Sequence, residues 1–266
     1  MVMYIADQTW PELGDYVAES SLAVVPLGST EQHGPHLPLA TDHLIAESLA
    51  RDAAGKTGFL CTPTVNVGVS PHHRQFHGTM WVDAPQFRDY VESMTRNLAY
   101  HGIDRVVYVN AHGGNVQHLR EVGRRLRDDG TMYAIEWMWD KSIPDLVTDL
   151  FDHPGPHGGP KETAMIMHIA RDLVREDQLE DARDGGRTTF KGRDYREHGA
   201  RTFYDAIENS ENGVFGDQTD ATPEAGATLF EAASDQLVRL LEWLDAQPID
   251  DLLAPAHADP QPGERR

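Results

Sequence analysis

The chain has 266 residues, enough for one large domain with a substantial core, and no glycine/serine linker or low-complexity tract divides it. Its 43 acidic residues outweigh 23 basic ones, for a net charge of −20, and its only lysines are Lys56, Lys141, Lys161 and Lys191. That balance argues against nucleic-acid and membrane partners, since it repels phosphate backbones and anionic lipids, and it predicts a halophilic surface that stays hydrated at high salt.

A single cysteine, Cys61, rules out an internal disulfide framework and a multi-cysteine zinc site. It falls in the apolar run Phe59-Leu60-Cys61-Thr62-Pro63 and reads as a buried filler. The start, Met1-Val2-Met3-Tyr4-Ile5, has no basic region followed by a long apolar stretch, and no 18-residue apolar run occurs anywhere. A cytoplasmic location is therefore expected.

In chain order, residues 21–27 predict a buried strand, being short, apolar and rich in valine and leucine. Residues 41–54 predict a helix with Thr41 as N-cap. A second strand is expected at 59–62, a helix at 85–100 with Pro85 in its first turn, and a third strand at 105–110. Residues 116–127 carry an apolar stripe of Val116, Leu119, Val122 and Leu126, with Arg120, Arg124 and Arg127 facing away, and predict an amphipathic helix. A fourth strand follows at 131–138, then a helix over 161–173 begun by Pro160. Residues 181–222, polar and glycine-rich, are expected as a long ordered loop serving as a lid or an oligomer contact. The last helix spans 223–244, capped by Thr222. This alternation predicts an α/β fold with a mainly parallel sheet covered on both faces, as one domain over residues 1–255 with a flexible tail at 256–266.

In such sheets ligands bind beyond the carboxyl ends of the strands. Two polar motifs lie there: Gly28-Ser29-Thr30-Glu31-Gln32-His33-Gly34-Pro35-His36 with Asp42 after the first strand, and Asn110-Ala111-His112-Gly113-Gly114-Asn115 after the third. Glu31 and His33 alternate in an extended segment and can aim at one point, to which Asp42 returns at a helix start. Taken singly, Glu31 and Asp42 read equally as caps or surface charges and His33 as a turn residue. Together with His112 they read as a divalent metal site of mixed oxygen and nitrogen ligands. Glu162, in the first turn of a helix, is a fifth ligand candidate, and five ligands suit two ions sharing one carboxylate. His157, in a glycine-flanked loop five residues earlier, is a candidate general acid for a departing amine. His72, His73 and His77 form another cluster, read as pocket lining or as surface histidines. No Gly-x-Ser-x-Gly elbow, Gly-x-Gly-x-x-Gly turn, Walker loop or His-Glu-x-x-His helix is present, which removes serine hydrolase, nucleotide-cofactor and zincin readings.

At these residues the sequence resembles the creatininase family of creatinine amidohydrolases, with further matches at Phe76-His77-Gly78-Thr79, at His157-Gly158-Gly159 with Glu162-Thr163-Ala164, and at Gly213-Val214-Phe215-Gly216-Asp217. The resemblance implies a three-layer α/β/α sandwich, two divalent ions (zinc first, manganese or iron also compatible), hydrolysis of a carbon–nitrogen bond other than a peptide bond in a small linear or cyclic amide, and a homohexamer. By position Glu31, Asp42 and His112 would hold one metal and His33 and Asp42 the other. Glu162 stands in for a carboxylate that the creatinine-cleaving branch carries where this chain has Gly114. Thr79, Gly78, Arg74, Gly113 and Asn115 are the expected substrate contacts, Arg74 for a substrate phosphate. The Gly113-Gly114 form is similar to two other branches: the archaeal formamide deformylase of riboflavin and deazaflavin synthesis, which is the first expectation, and the peptidase that trims a peptide-derived redox cofactor precursor. Creatinine hydrolysis and a non-catalytic metal-binding member are the remaining readings.

Overall fold

A computed structural model describes residues 3–183, 203 and 205–255. Four parallel strands form one sheet in the order β2-β1-β3-β4: β1 (Leu22–Leu27), β2 (Leu60–Cys61), β3 (Arg105–Asn110) and β4 (Tyr133–Met138). The central strands β1 and β3 are buried along their whole length, which is why they read as unbroken apolar runs rather than as alternating ones. The edge strand β2 is two residues long, shorter than expected: Thr62 still donates to Val24 O, but Pro63 after it has no N–H to give a ladder.

Among the described residues the α-helices are α1 (Trp10–Glu19), α2 (Thr41–Thr57), α3 (Ala84–Tyr100), α4 (Val116–Asp128), α5 (Trp139–Ser142), α6 (Pro144–Leu150), α7 (Pro160–Ile169), α8 (Leu179–Ala182), α9 (Pro223–Asp245) and α10 (Ile249–Leu252). The sheet divides the core in two. Leu22, Val24, Val107 and Val109 pack against α2, α7 and α9, while Ala23, Val25, Val106 and Tyr108 pack against α1, α3 and α4. Alternate strand residues thus face opposite helical layers, giving the expected three-layer sandwich. The α7–α9 contact is tight: a Cβ placed on Gly226 of α9 would lie 1.9 Å from the Ala164 carbonyl oxygen.

Several expectations are corrected in detail. Helix α1 carries a capping signal that the sequence reading passed over: Glu12 accepts from the Thr9 amide at 2.7 Å and from its hydroxyl at 2.6 Å. Thr41 is not the N-cap of α2; Ala40 occupies that place, and the Thr41 hydroxyl donates to Pro38 O. Helix α7 stops at Ile169, after its buried stretch, and a 3-10 turn (Arg171–Leu173) replaces its last turn on the surface. Thr222 does cap α9, accepting from the Ala225 amide at 3.1 Å. Residues 184–202 and 204 of the expected 181–222 loop and the whole 256–266 tail lie outside the described residues. Among the described residues no helix is long and apolar enough to cross a membrane.

Candidate metal centre and active site

Leu27 at the end of β1 pairs with Asn110 at the end of β3, so the two polar loops leave the same edge of the sheet side by side. The first loop is pressed onto the start of α2: a Cβ on Gly28 would meet the His43 amide nitrogen at 2.4 Å. This close approach brings Asp42, in the first turn of α2, beneath Glu31 and His33. The second loop is set by its own asparagines. Asn110 clamps the His112 backbone from both sides, and Asn115 donates to Gly28 O and accepts from the Val69 amide, each at 3.0 Å.

Glu31, His33, Asp42, His112 and Glu162 converge, all buried to 6 % exposure or less. Two sets of three have their ligand atoms within 4.8 Å of one another: Glu31, Asp42 and His112, and His33, Asp42 and Glu162. Asp42 belongs to both. A third set, Glu31, His33 and His157, overlaps them.

The donor chemistry fits cations. His112 Nε2 is 3.1 Å from Val69 O and donates to it, so Nδ1 turns a lone pair toward Glu31 Oε2 at 3.2 Å and Asp42 Oδ2 at 3.1 Å. His33 repeats the device with its nitrogens exchanged. Nδ1 donates to Glu31 O at 3.1 Å, and Nε2 faces Asp42 Oδ1 at 3.0 Å and Glu162 Oε2 at 3.8 Å. Both carboxylate oxygens of Glu31 and Oδ2 of Asp42 are buried without a hydrogen-bond donor. Acceptors crowded onto acceptors in a dry site require positive charge between them, a divalent ion or extra protons. Protons are the metal-free solution. Burial works against a charged His33, but Asp42, with Glu162 and Glu31 behind it, outweighs burial and raises its pKa to about 9. Burial likewise lifts Glu162 to about 7, against the pull of His33 and Lys161. Asp42 shows the reverse balance: burial would raise it, and contact with His33 and His112 holds it well below the usual carboxylate range.

Glu31 and His112 of the cluster open onto a cavity of about 790 Å³, whose walls include His72, His73, Arg74, Gly113, Gln117, His118, His157 and Phe215, while His33, Asp42 and Glu162 are not among its lining residues. His157 Nε2 donates to Gln32 O at 2.6 Å, leaving Nδ1 toward Glu31 Oε1 at 3.6 Å. Burial, reinforced by the neighbouring His33, pushes its pKa well down, so the ring is neutral. Of the expected substrate contacts, Arg74 and Gly113 line the cavity. Arg74 is tied to Asp205 at 2.6 Å. Thr79, Gly78 and Asn115 are not on the wall. The Thr79 hydroxyl accepts from the Gln32 amide, Gly78 makes an exposed turn at φ +87°, and Asn115 is the buried strap described above. His77 is exposed, whereas His73 is buried and stacks on His157. Gln32, absent from the sequence-level candidates, is a hub: its Nε2 contacts His73 Nδ1 at 2.8 Å and Gly213 O at 3.0 Å. Its place between two ligand candidates was the available signal.

The family model for creatinine amidohydrolase matches residues 6–241. The chain belongs to the creatininase family. Like other creatininase-family members it is a metal-dependent amidohydrolase, as its motifs implied. It is similar to the mycofactocin precursor peptide peptidase of Mycobacterium ulcerans, with 33% identity over 245 residues, 88% of this chain and 86% of the relative. It is also similar to the 2-amino-5-formylamino-6-ribosylaminopyrimidin-4(3H)-one 5'-monophosphate deformylase of Methanothermus fervidus, with 32% identity over 163 residues, 60% of this chain and 61% of the relative. A crystal structure of creatinine amidohydrolase superposes with a TM-score of 0.79, covering 93% of this chain and 99% of that one at 23% identity, which fixes the creatininase fold. Against the creatinine-cleaving branch, Gly114 has no room for a side chain: its Cβ would lie 2.2 Å from Val69 O and 2.4 Å from His112 Nε2.

Proposed function

We propose that this amidohydrolase cleaves an amide bond in a small peptide-derived substrate at the Glu31–His33–Asp42–His112–Glu162 cluster. The observation that carries the reading is the pair of ligand triads sharing Asp42, with Glu31 and His112 of the first triad opening onto one cavity. Glu31, Asp42 and His112 would hold one divalent ion and His33, Asp42 and Glu162 a second, with zinc the best match to this mixed set and manganese or iron compatible. Such ions supply Lewis acidity, polarising a carbonyl and lowering the pKa of water from ~15.7 toward ~7. His157, neutral and aimed at the cluster through Nδ1, is placed to take a proton there and pass it to the departing nitrogen. The Nε2–H bond to Gln32 O holds the ring in that tautomer.

A peptide-type substrate now stands ahead of the formamide nucleotide. The peptidase relative shares more of the chain at slightly higher identity than the deformylase does. Arg74, the residue expected to meet a phosphate, already has its charge taken by Asp205. The cavity also lies in the ~300–1,000 Å³ range of multi-group ligands, more than a single small ring requires. Homo-oligomeric assembly, a hexamer by family resemblance, belongs to the same proposal.

The test is a panel of short peptides, N-acyl amino acids, formamides and creatinine given to the metal-loaded protein, with metal counted by mass spectrometry. Chelation should abolish turnover, and peptides should be the turned-over class. Asp42→Ala should lose both ions, whereas His33→Ala should keep the one on Glu31, Asp42 and His112. Full activity in metal-free protein, or equal metal loss in both variants, would defeat the shared-ligand reading.

A further inference from the structure

The cavity has a second polar centre on the wall made by the first turns of α3 and α4. Ala84, Gln117 and His118 line it there. Arg88 lies one turn beyond Ala84 on the same face of α3, and its Nη1 is 3.1 Å from His118 Nδ1. His118 is 7% exposed, and burial together with the Arg88 charge lowers its pKa. The ring is therefore neutral, and its Nδ1 accepts the guanidinium proton.

Most of the described arginines of this acidic chain pair with a carboxylate; Arg88, like Arg127, Arg175 and Arg239, does not. Arg74, Arg96, Arg125 and Arg183 each touch a carboxylate. Arg88 touches none among the described residues, and its Nε is buried with no acceptor. A guanidinium that has lost part of its water and gained only a neutral imidazole is an unbalanced charge. Asp83 stands at the N-cap of α3, but α4 has no acidic residue in its first turn and Asn115 as its N-cap, so the α4 end adds potential of the same sign at this wall. An anion reaching past Ala84 and His118, which line the cavity where Arg88 itself does not, would balance this charge.

We propose that Arg88, supported by His118 and Gln117, binds an anionic group of the substrate. On the reading of function given above, that group is the free carboxylate of a peptide whose amide lies over Glu31 and His112. Arg88 is thus a specificity-determining residue: it selects substrates by charge, and His118 orients its fork. A phosphate would satisfy the same donors, so the two anions must be separated by measurement.

The experiment is calorimetric binding of a matched pair, an N-acetylated dipeptide with a free C-terminus and its C-terminal amide, to the metal-loaded full-length protein. Inorganic phosphate is titrated in parallel, and wild type is compared with Arg88→Gln and Arg88→Lys. The acid should bind wild type roughly 10–100-fold more tightly than the amide, the worth of a charge-assisted hydrogen bond. That preference should vanish in Arg88→Gln and partly survive in Arg88→Lys. Equal binding of acid and amide by wild type overturns the proposal. So does an acid preference that persists in Arg88→Gln, which would mean that the carboxylate sits on the metal. Arg88-dependent binding of phosphate more tightly than the acid overturns the carboxylate assignment in favour of a phosphate-bearing substrate. Metal content and cleavage of the amidated peptide, recorded alongside, report separately on the hydrolase reading.

Discussion

Asp140→Ala should be among the most damaging single changes outside the metal cluster. Asp140 follows β4 in α5 and Lys161 opens α7, and both are 6% exposed. Lys161 Nζ donates to Asp140 Oδ2, as does Lys141 Nζ from the surface at 3.2 Å. Removing Asp140 leaves the Lys161 ammonium buried, unpaired and at a helix N-terminus, where the backbone dipole also repels it. Breaking a buried pair in this way costs ~3–5 kcal/mol, or roughly 6–20 °C in melting temperature for a chain of this size. Lys161→Met should cost less, because Asp140 keeps Lys141 as a partner. The double variant Asp140→Ala/Lys161→Met, which places an apolar chain near Trp139, should recover much of the loss. The sign with pH follows from Asp140 itself. Burial raises its pKa, but the Lys161 charge and hydrogen bond prevail and the net shift is downward. A depressed carboxylate stabilises the fold above its unfolded pKa of ~3.9, and the contribution is lost as pH falls through the folded value. The gap between wild type and Asp140→Ala in urea unfolding should therefore be flat near neutrality and close only in acid. A double variant less stable than Asp140→Ala alone, or a gap that widens in acid, would refute the reasoning.

Gly226→Ala should destabilise by at least ~1–3 kcal/mol in chemical unfolding, although alanine is the better helix former, because its Cβ meets the Ala164 carbonyl rather than a yielding side chain; a stabilised variant would show that α7 and α9 are further apart. Raising KCl from about 0.1 M to about 2 M should raise the melting temperature by screening the −20 charge, and a flat response would remove the halophilic reading. Asn115→Ala, which orphans the Val69 amide and the Gly28 carbonyl, should cost ~2–5 kcal/mol from two unsatisfied buried groups and loosen both polar loops; unchanged unfolding would return Asn115 to the list of substrate contacts.

The amino-acid sequence alone determined the elements whose signals are short-range. The buried runs of β1 and β3 and the apolar stripe of α4 are printed in consecutive residues, because burial acts on the spacing of neighbours along the chain. The capping box of α1 was equally legible, at Thr9 and Glu12, and was simply missed. The polar residues at the ends of β1 and β3 could be named as a group from their position after parallel strands. Only the tertiary structure decided their partners. Asn110 and Asn115 look like site residues in the motif, but once β1 and β3 lie side by side their amides are consumed in tying the loops together. Arg74 looked like the cation facing a substrate, but the fold hands it Asp205, 131 positions away, while Arg88 is left with a histidine 30 positions away. Whether a charge is free or balanced depends on through-space neighbours a few ångströms apart, and chain spacing carries no record of those until the strand order has been fixed.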